Sequence, residues 1–195
     1  YGMLSQGSKW SDHCTISRFA QLNLTPERQV FIVDRLDRAA TGLILIAHSK
    51  KAASALSTMF EHHQLEKIYH IIVHGNFGTE QQPKVITAPI DGKSARSTFT
   101  LLEYNKEHDL SVIEVKIDSG RKHQIRKHAA SINLPVVGDR LHGSNEFEYQ
   151  ESLNLQLSAV SLRFTCPLSG QVKHFQLNDN LKPNLSEVIK KLGSS

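Results

Sequence analysis

Apolar positions along the chain fall into short β-like runs and one clear helical stripe. Residues 29–33 (QVFIV) and 43–47 (LILIA) are brief runs rich in β-branched residues, the pattern of buried strands. Across residues 49–63, Ala52, Leu56, Met59 and Phe60 recur at helical spacing behind Ser49, a good N-cap. Residues 67–75 (KIYHIIVHG) predict a strand ending in a turn. Residues 78–94 are polar and turn-rich, with Pro83, Pro89 and Gly92, and predict an exposed loop. Two strands follow at 95–104 and 110–117, joined across 105–109. In the second, Leu110, Val112, Glu114 and Lys116 alternate with Ser111, Ile113, Val115 and Ile117, so that only the later half has a clean apolar face. Residues 122–133 predict a helix introduced by Ser119-Gly120. Residues 157–164 and 172–177 predict a hairpin around Pro167-Leu168-Ser169-Gly170, and 183–192 a short terminal helix.

About seven strands against three or four helices, with strands adjacent in sequence, predict an α+β fold on a largely antiparallel sheet. A doubly wound parallel fold needs regular strand–helix alternation, which is missing. Neither GxGxxG nor GxxxxGK[ST] occurs, so nucleotide-cofactor folds lose support.

Composition narrows the class further. Of 195 residues, 39% are hydrophobic, enough for a sizeable core and too many for wholesale disorder. The longest apolar run, 43–47, is far short of the roughly 18 residues of a membrane span. Two cysteines, Cys14 and Cys166, cannot make a disulfide framework, and reduced thiols in a cytoplasmic domain are the expectation. Lys and Arg number 23 against 19 Asp and Glu, a net charge of +4. That balance only weakly favours a polyanionic partner. Its distribution is more informative. Residues 119–138 hold no acidic side chain, while Arg121, Lys122, Arg126 and Lys127 fall there with His123 and His128. A solvated basic helix and a nucleic-acid surface both fit that pattern.

Three segments could carry chemistry. The first is Asp34-Arg35-Leu36-Asp37-Arg38-Ala39-Ala40-Thr41-Gly42, too long for a tight hairpin between its flanking runs. Asp37 sits between Arg35 and Arg38, whose charges would keep it ionised, fit to act as nucleophile or base. A structural ion-pair knot is the plainer alternative. The second is Gly120 to His128 (GRKHQIRKH), where basic residues crowd the first turns of a helix and favour anions. Lys122 and Arg126, four apart, would share a face. Arg126 could cap, bind phosphate or pair with Asp37. The third is Tyr69, on one strand face with Lys67 and Ile71: a core residue, or a phenol that stacks on a base or accepts a proton. Metal ligation is disfavoured. His70 and His74 stand about 13 Å apart on a strand, and His123 and His128 diverge by about 140° on a helix. A GxSxG serine elbow is also absent.

Together these segments resemble the RluA-type family of pseudouridine synthases. The family's HRLDxxTSG pattern reads here as residues 34–42, its KxY strand as Lys67-Ile68-Tyr69, and its GRxHQ[IL]RxH pattern is complete at 120–128. PxxGDxxYG is similar to residues 135–143, with His142 where the family has Tyr, and the wording of 120–128 with His142-Gly143 is similar to the TruC-like tRNA branch. Asp34 stands where the family has His, and Ala40-Thr41-Gly42 where it has TSG. Tyr1-Gly2 resembles the tail of the family's KPxG motif. The expectation is a single catalytic domain over 1–195, shortened at its N-terminus, with no S4-type domain ahead of it.

The resemblance implies a cofactor-free isomerase converting a uridine of tRNA, or next rRNA, to pseudouridine, on a mixed, mostly antiparallel sheet. Asp37 would be the nucleophile, Tyr69 would stack on the base and help remove its C5 proton, and Arg126 would hold Asp37 ionised. Arg35, Arg38, Arg121, Lys122, His123, Gln124 and Lys127 are the expected RNA-contacting residues. RNA is the expected partner, no metal is needed, and a cytoplasmic monomer is the default. Two rivals stand beside this reading. One is an RNA-binding module that keeps the fold without catalysis, and the other a hydrolase using Asp34 and Asp37 as a carboxylate pair.

Overall fold

The computed structural model describes residues 2–5, 7, 14–78, 82–143 and 153–193. Among them the chain forms, in order, α1 (Ile16–Asn23), β1 (Phe31–Ile32), β2 (Thr41–Gly42), β3 (Ile46–Ala47), α2 (Lys50–Glu61), β4 (Glu66–His74), β5 (Lys84–Ile86), β6 (Ser97–Asn105), β7 (Leu110–Ile117), α3 (Gln124–Ser131), β8 (Leu157–Thr165), β9 (Val172–Gln176) and α4 (Leu185–Leu192). The main sheet runs β2-β8-β4-β7-β6-β5, with β9 beside β8 on the edge that also takes β2. Only β2–β8 is parallel; the other pairs are antiparallel. This is the largely antiparallel α+β sheet that the run pattern predicts, mixed as the resemblance implies.

Strand alternation sorts the core into layers. Tyr69, Ile71 and Val73 of β4 and Ile113 and Val115 of β7 share one face with Phe99, under Ile125 and Ala129 of α3. Ile72, Leu110 and Val112 turn to the other face, where Leu185 and Val188 of α4 cover them. A third cluster sets Leu56 and Met59 of α2 on Leu162 and Phe164 of β8. The mixed reading of 110–117 has a simple cause. Its first half is buried on both faces, while Glu114 and Lys116 face His70 and Glu66 at 3.8 and 2.5 Å.

Two expected strands are shorter than their apolar runs. Residues 43–47 bridge two ladders: Leu43 N–H bonds the Ala159 carbonyl of the main sheet, and only Ile46–Ala47 pair with β1. The segment 78–94 is not wholly an exposed loop. It carries β5 on the edge of the sheet, and Ile86 and Ile90 are buried. Three residues are too few to show strand periodicity. Helix α1, capped by Thr15, has no buried residue, and so no core-facing stripe betrays it.

Gly42 shows why the segment 34–42 ends in glycine. Its φ is +100°, and a Cβ would stand 2.2 Å from the Ala159 carbonyl oxygen. Only glycine allows β2 to lie this close against β8.

At the end of β4, burial pushes the His74 imidazole down to about 4, with Asp109 opposing the shift. An unfolded chain binds this proton near 6.5, so the folded state loses stability as pH falls from about 6.5 to about 4 and no more below that. The His74 share amounts to about 3 kcal/mol. Urea titrations across that window should show His74→Phe with a visibly shallower acid-side decline than wild type; equal slopes would remove His74 from the account.

Candidate active site

The residues 34–42 cross the α3-covered face of the sheet and are pinned from three directions. Ser5 Oγ donates to the Leu36 carbonyl and accepts from the Leu36 N–H, at 3.0 and 3.1 Å. Gly2 N–H donates to the Arg38 carbonyl while Arg38 Nε returns a bond to the Gly2 carbonyl, both 3.0 Å. Ala40 N–H closes a turn on the Asp37 carbonyl at 2.9 Å. The Asp37 side chain, 23% exposed, thereby sits at a fixed point over the sheet.

Arg126, on α3, comes up beneath it. Its Nη1 lies 3.5 Å from Asp37 Oδ2. The tighter partner is one that sequence reasoning missed: Asp139 takes Nε at 2.8 Å and Nη2 at 2.5 Å in a two-pronged pair. Arg126 and Asp139 are 4% and 1% exposed. Burial by itself would push the guanidinium down, but Asp139 and then Asp37 hold it raised and charged. Burial likewise opposes ionisation of Asp139, and the Arg126 bonds with the Leu141 and His142 N–H groups bring it below the usual carboxylate range. Spacing after the GRKHQIRKH segment held a signal, since Asp139 is the first acidic residue beyond it. Nothing in the sequence said which aspartate would take the stronger bonds.

Tyr69 meets this group from below. The β4–β8 register slips between Ile68 and Tyr69, so that Ala159 and Ser161 of β8 oppose consecutive β4 residues. Such a bulge beside a functional side chain re-aims it. Tyr69 is 6% exposed, and with Asp37, Arg126, Ile125 and Leu157 it lines a small pocket of about 60 Å³. A wider cleft of about 410 Å³ adjoins it, sharing Arg35, Tyr69, Ile117, Gly120 and Arg121. Lys67 lines the cleft with its Nζ 5.5 Å from the Tyr69 ring centre. Lys67 is ion-paired with Asp34, and both side chains are almost wholly buried. Burial raises the Tyr69 phenol, Lys67 opposes this, and Asp34 adds to it. Burial pulls Lys67 down, but Tyr69, were it ionised, and the Asp34 carboxylate leave it raised. The resting pair is a neutral phenol beside an ammonium. Asp34 also accepts the Leu45 N–H at 2.7 Å. It is therefore engaged away from Asp37, and the paired-carboxylate hydrolase has no geometric footing.

The expected RNA-contacting residues divide. Arg35, Arg38 and Lys122 are exposed, and Arg35 and Arg121 line the cleft. Arg121 Nε donates to the Ser94 carbonyl, and Lys127 pairs with Asp91 at 2.9 Å. Gln124 is a correction. It is 3% exposed, its oxygen accepts from Ser119 Oγ and Arg121 N–H, and its nitrogen donates to the Arg96 carbonyl and Ser97 Oγ. All its capacity is spent tying the α3 lead-in to β6. Lys122 and Arg126 share no helical face, because α3 starts only at Gln124. His123 precedes it and turns its ring toward Asp37, Nε2 to Oδ1 at 3.9 Å. Among the described residues no group of three or more His, Cys, Asp or Glu is placed to hold a metal ion, and no helix is long and apolar enough to cross a membrane.

A family model described as RNA pseudouridylate synthase matches residues 1–131. The chain belongs to that family. A protein of Aquifex aeolicus named "Uncharacterized RNA pseudouridine synthase" is 32% identical over 76% of this chain and 52% of its own length. The tRNA pseudouridine synthase C of Vibrio cholerae is 30% identical over 87% of this chain and 81% of its own. The chain spans about half the length of several of the curated relatives it matches. In fold, the human RNA pseudouridylate synthase domain containing 4 superposes with a TM-score of 0.76 over 99% of this chain and 87% of its own, at 18% identity. The RluA-type resemblance thus holds at the level of family and fold.

Removing one partner of a buried ion pair costs about 3–5 kcal/mol. Asp139→Asn should therefore lower the melting temperature by about 10 °C. Calorimetry that finds it within a degree of wild type would show Arg126 to be held by something else.

Proposed function

We propose that this chain isomerises a uridine in structured RNA to pseudouridine, as a cytoplasmic monomer needing neither metal nor organic cofactor. The observation that carries the reading is the pocket where Asp37, Arg126 and Tyr69 converge, in a chain whose family is named for that chemistry. The Vibrio relative, named for tRNA, supports tRNA as the favoured substrate ahead of rRNA.

In this reading the uridine leaves its stack, at a cost of a few kcal/mol, and enters the cleft. Exposed Arg35, Arg38 and Lys122, with Arg121, grip the phosphates around it. Asp37, ion-paired with Arg126, is the nucleophile. An Asp37 oxygen bonds to the sugar C1′ as the C1′–N1 bond breaks, the freed uracil turns, C5 bonds to C1′ as the Asp37–C1′ bond breaks, and N1 gains a proton while C5 loses one. Tyr69 packs against the base. Tyr69 accepts the C5 proton only as a phenolate, formed when its own phenol proton passes to the freed N1, and the Lys67 ammonium is the group placed to stabilise that phenolate.

Tritium release from RNA carrying 5-tritiated uridine tests this, with tRNA and rRNA transcripts measured separately. Asp37→Asn should lower release by at least about a thousandfold with an unchanged melting curve. Turnover at the wild-type rate in folded Asp37→Asn would end the mechanism. RNA binding that survives this substitution, with no release from wild type, would establish the non-catalytic RNA-binding module instead. Tyr69→Phe keeps the ring and loses the hydroxyl, so RNA binding should outlast turnover; parallel loss of both would make Tyr69 structural.

A further inference from the structure

His123 has a backbone that few side chains adopt. It precedes α3 with φ 56° and ψ 29°, in the left-handed region, and its side chain makes no capping bond to the helix. A residue other than glycine is strained there, and such positions persist where surrounding contacts over-determine them. The ring is directed elsewhere. Nδ1 lies 2.8 Å from His142 Nε2, with the two rings edge-on at 5.1 Å, and Nε2 faces Asp37 Oδ1 at 3.9 Å.

His142 is in turn set by Asp139. The Oδ1 oxygen of Asp139 accepts the N–H of Leu141 at 3.0 Å and of His142 at 3.1 Å, besides Arg126 Nη2 at 2.5 Å. One buried carboxylate therefore places both groups that reach Asp37: Arg126 directly on Oδ2, and His123 on Oδ1 by way of His142.

We propose that His123 and His142 form a positioning pair for Asp37, with His123 Nε2–H aimed at the oxygen that Arg126 does not hold. This deepens the synthase reading and rests on it for the role of Asp37. The single proton between the rings decides the tautomer. With His142 Nε2 donating to His123 Nδ1, the remaining His123 proton sits on Nε2, toward the carboxylate; the reverse would set a bare nitrogen against it. Burial first, then Arg126 and neighbouring Lys122 and Lys127, disfavour charge on the two rings, while Asp37 and Asp139 favour it. Both rings are neutral at pH 7, so Arg126 supplies charge and His123 supplies aim. The 3.9 Å gap lies outside hydrogen-bond range and closes with a shift of about 1 Å.

Three variants and one spectrum test the pair. His142→Phe keeps a ring and loses its nitrogens. It should melt within about 2 °C of wild type and lose about tenfold in kcat, with KM nearly unchanged. His142→Gln, which retains an N–H donor, should recover most of that loss. His123→Gly suits the left-handed backbone and should lose at least as much, with exogenous imidazole restoring turnover. Wild-type kcat in His142→Phe, a loss confined to KM, or a folded His123→Gly that imidazole does not rescue would each overturn the pair. Nitrogen-15 spectra of the imidazoles read the same geometry without turnover. The expected result is a proton on His123 Nε2 that moves in His142→Phe; a proton on Nδ1 would overturn it. A wild type that releases no tritium yet shows the Nε2–H tautomer would count against the synthase reading and leave the pair standing.

Discussion

A guanidinium taken out of water needs its charge matched and its donors filled, and in this molecule Asp139 does both for Arg126. The fork geometry matters as much as the charge. Asp139 takes Nε and Nη2, which leaves Nη1 pointing at Asp37. An ammonium on a flexible stem could neutralise Asp139 but could not divide two fixed edges between two carboxylates. Gly138 makes the approach possible. Its φ is +76°, and a Cβ there would lie 2.4 Å from the Asn154 carbonyl oxygen. The turn carrying Asp139 can thus press against the stretch leading into β8, and Asp139 then orders the next turn through its bonds to the Leu141 and His142 N–H groups.

A second buried pair, Asp34 with Lys67, does for Tyr69 what Asp139 does for Asp37. Its ammonium sits by the phenol ring, and its carboxylate also holds the backbone at Leu45. The two networks meet where the small pocket opens into the larger cleft, at Arg35, Tyr69 and Arg121. Asp34 stands where the family pattern has histidine, and here it forms the ion pair with Lys67 beside Tyr69.

Much of the sheet could be read from local pattern. β4, β7, β8 and α2 announce themselves because each is long enough to show its period, and burial on one face or two follows from neighbours of known type. The misreadings fall on short or borderline pieces. β5 has three residues, the run at 43–47 is split between two ladders, and α1 buries nothing. That Asp37, Tyr69 and Arg126 line one pocket was foreshadowed by the motif order along the chain. Gln124 was misread because a glutamine beside basic residues looks the same in sequence whether its amide faces RNA or closes a loop.

Local sequence determined the α+β class, the strand that bears Tyr69, the basic character of the α3 lead-in, and Asp37 as the carboxylate to examine. Those depend on periodicity, turn chemistry and charge within a few residues. The choice of partners was decided only in three dimensions: Asp139 for Arg126, Lys67 for Asp34, His142 for His123. Each joins residues 13 to 33 positions apart, and which polar groups meet depends on strand register and on where the chain turns back, which spacing along the sequence does not encode.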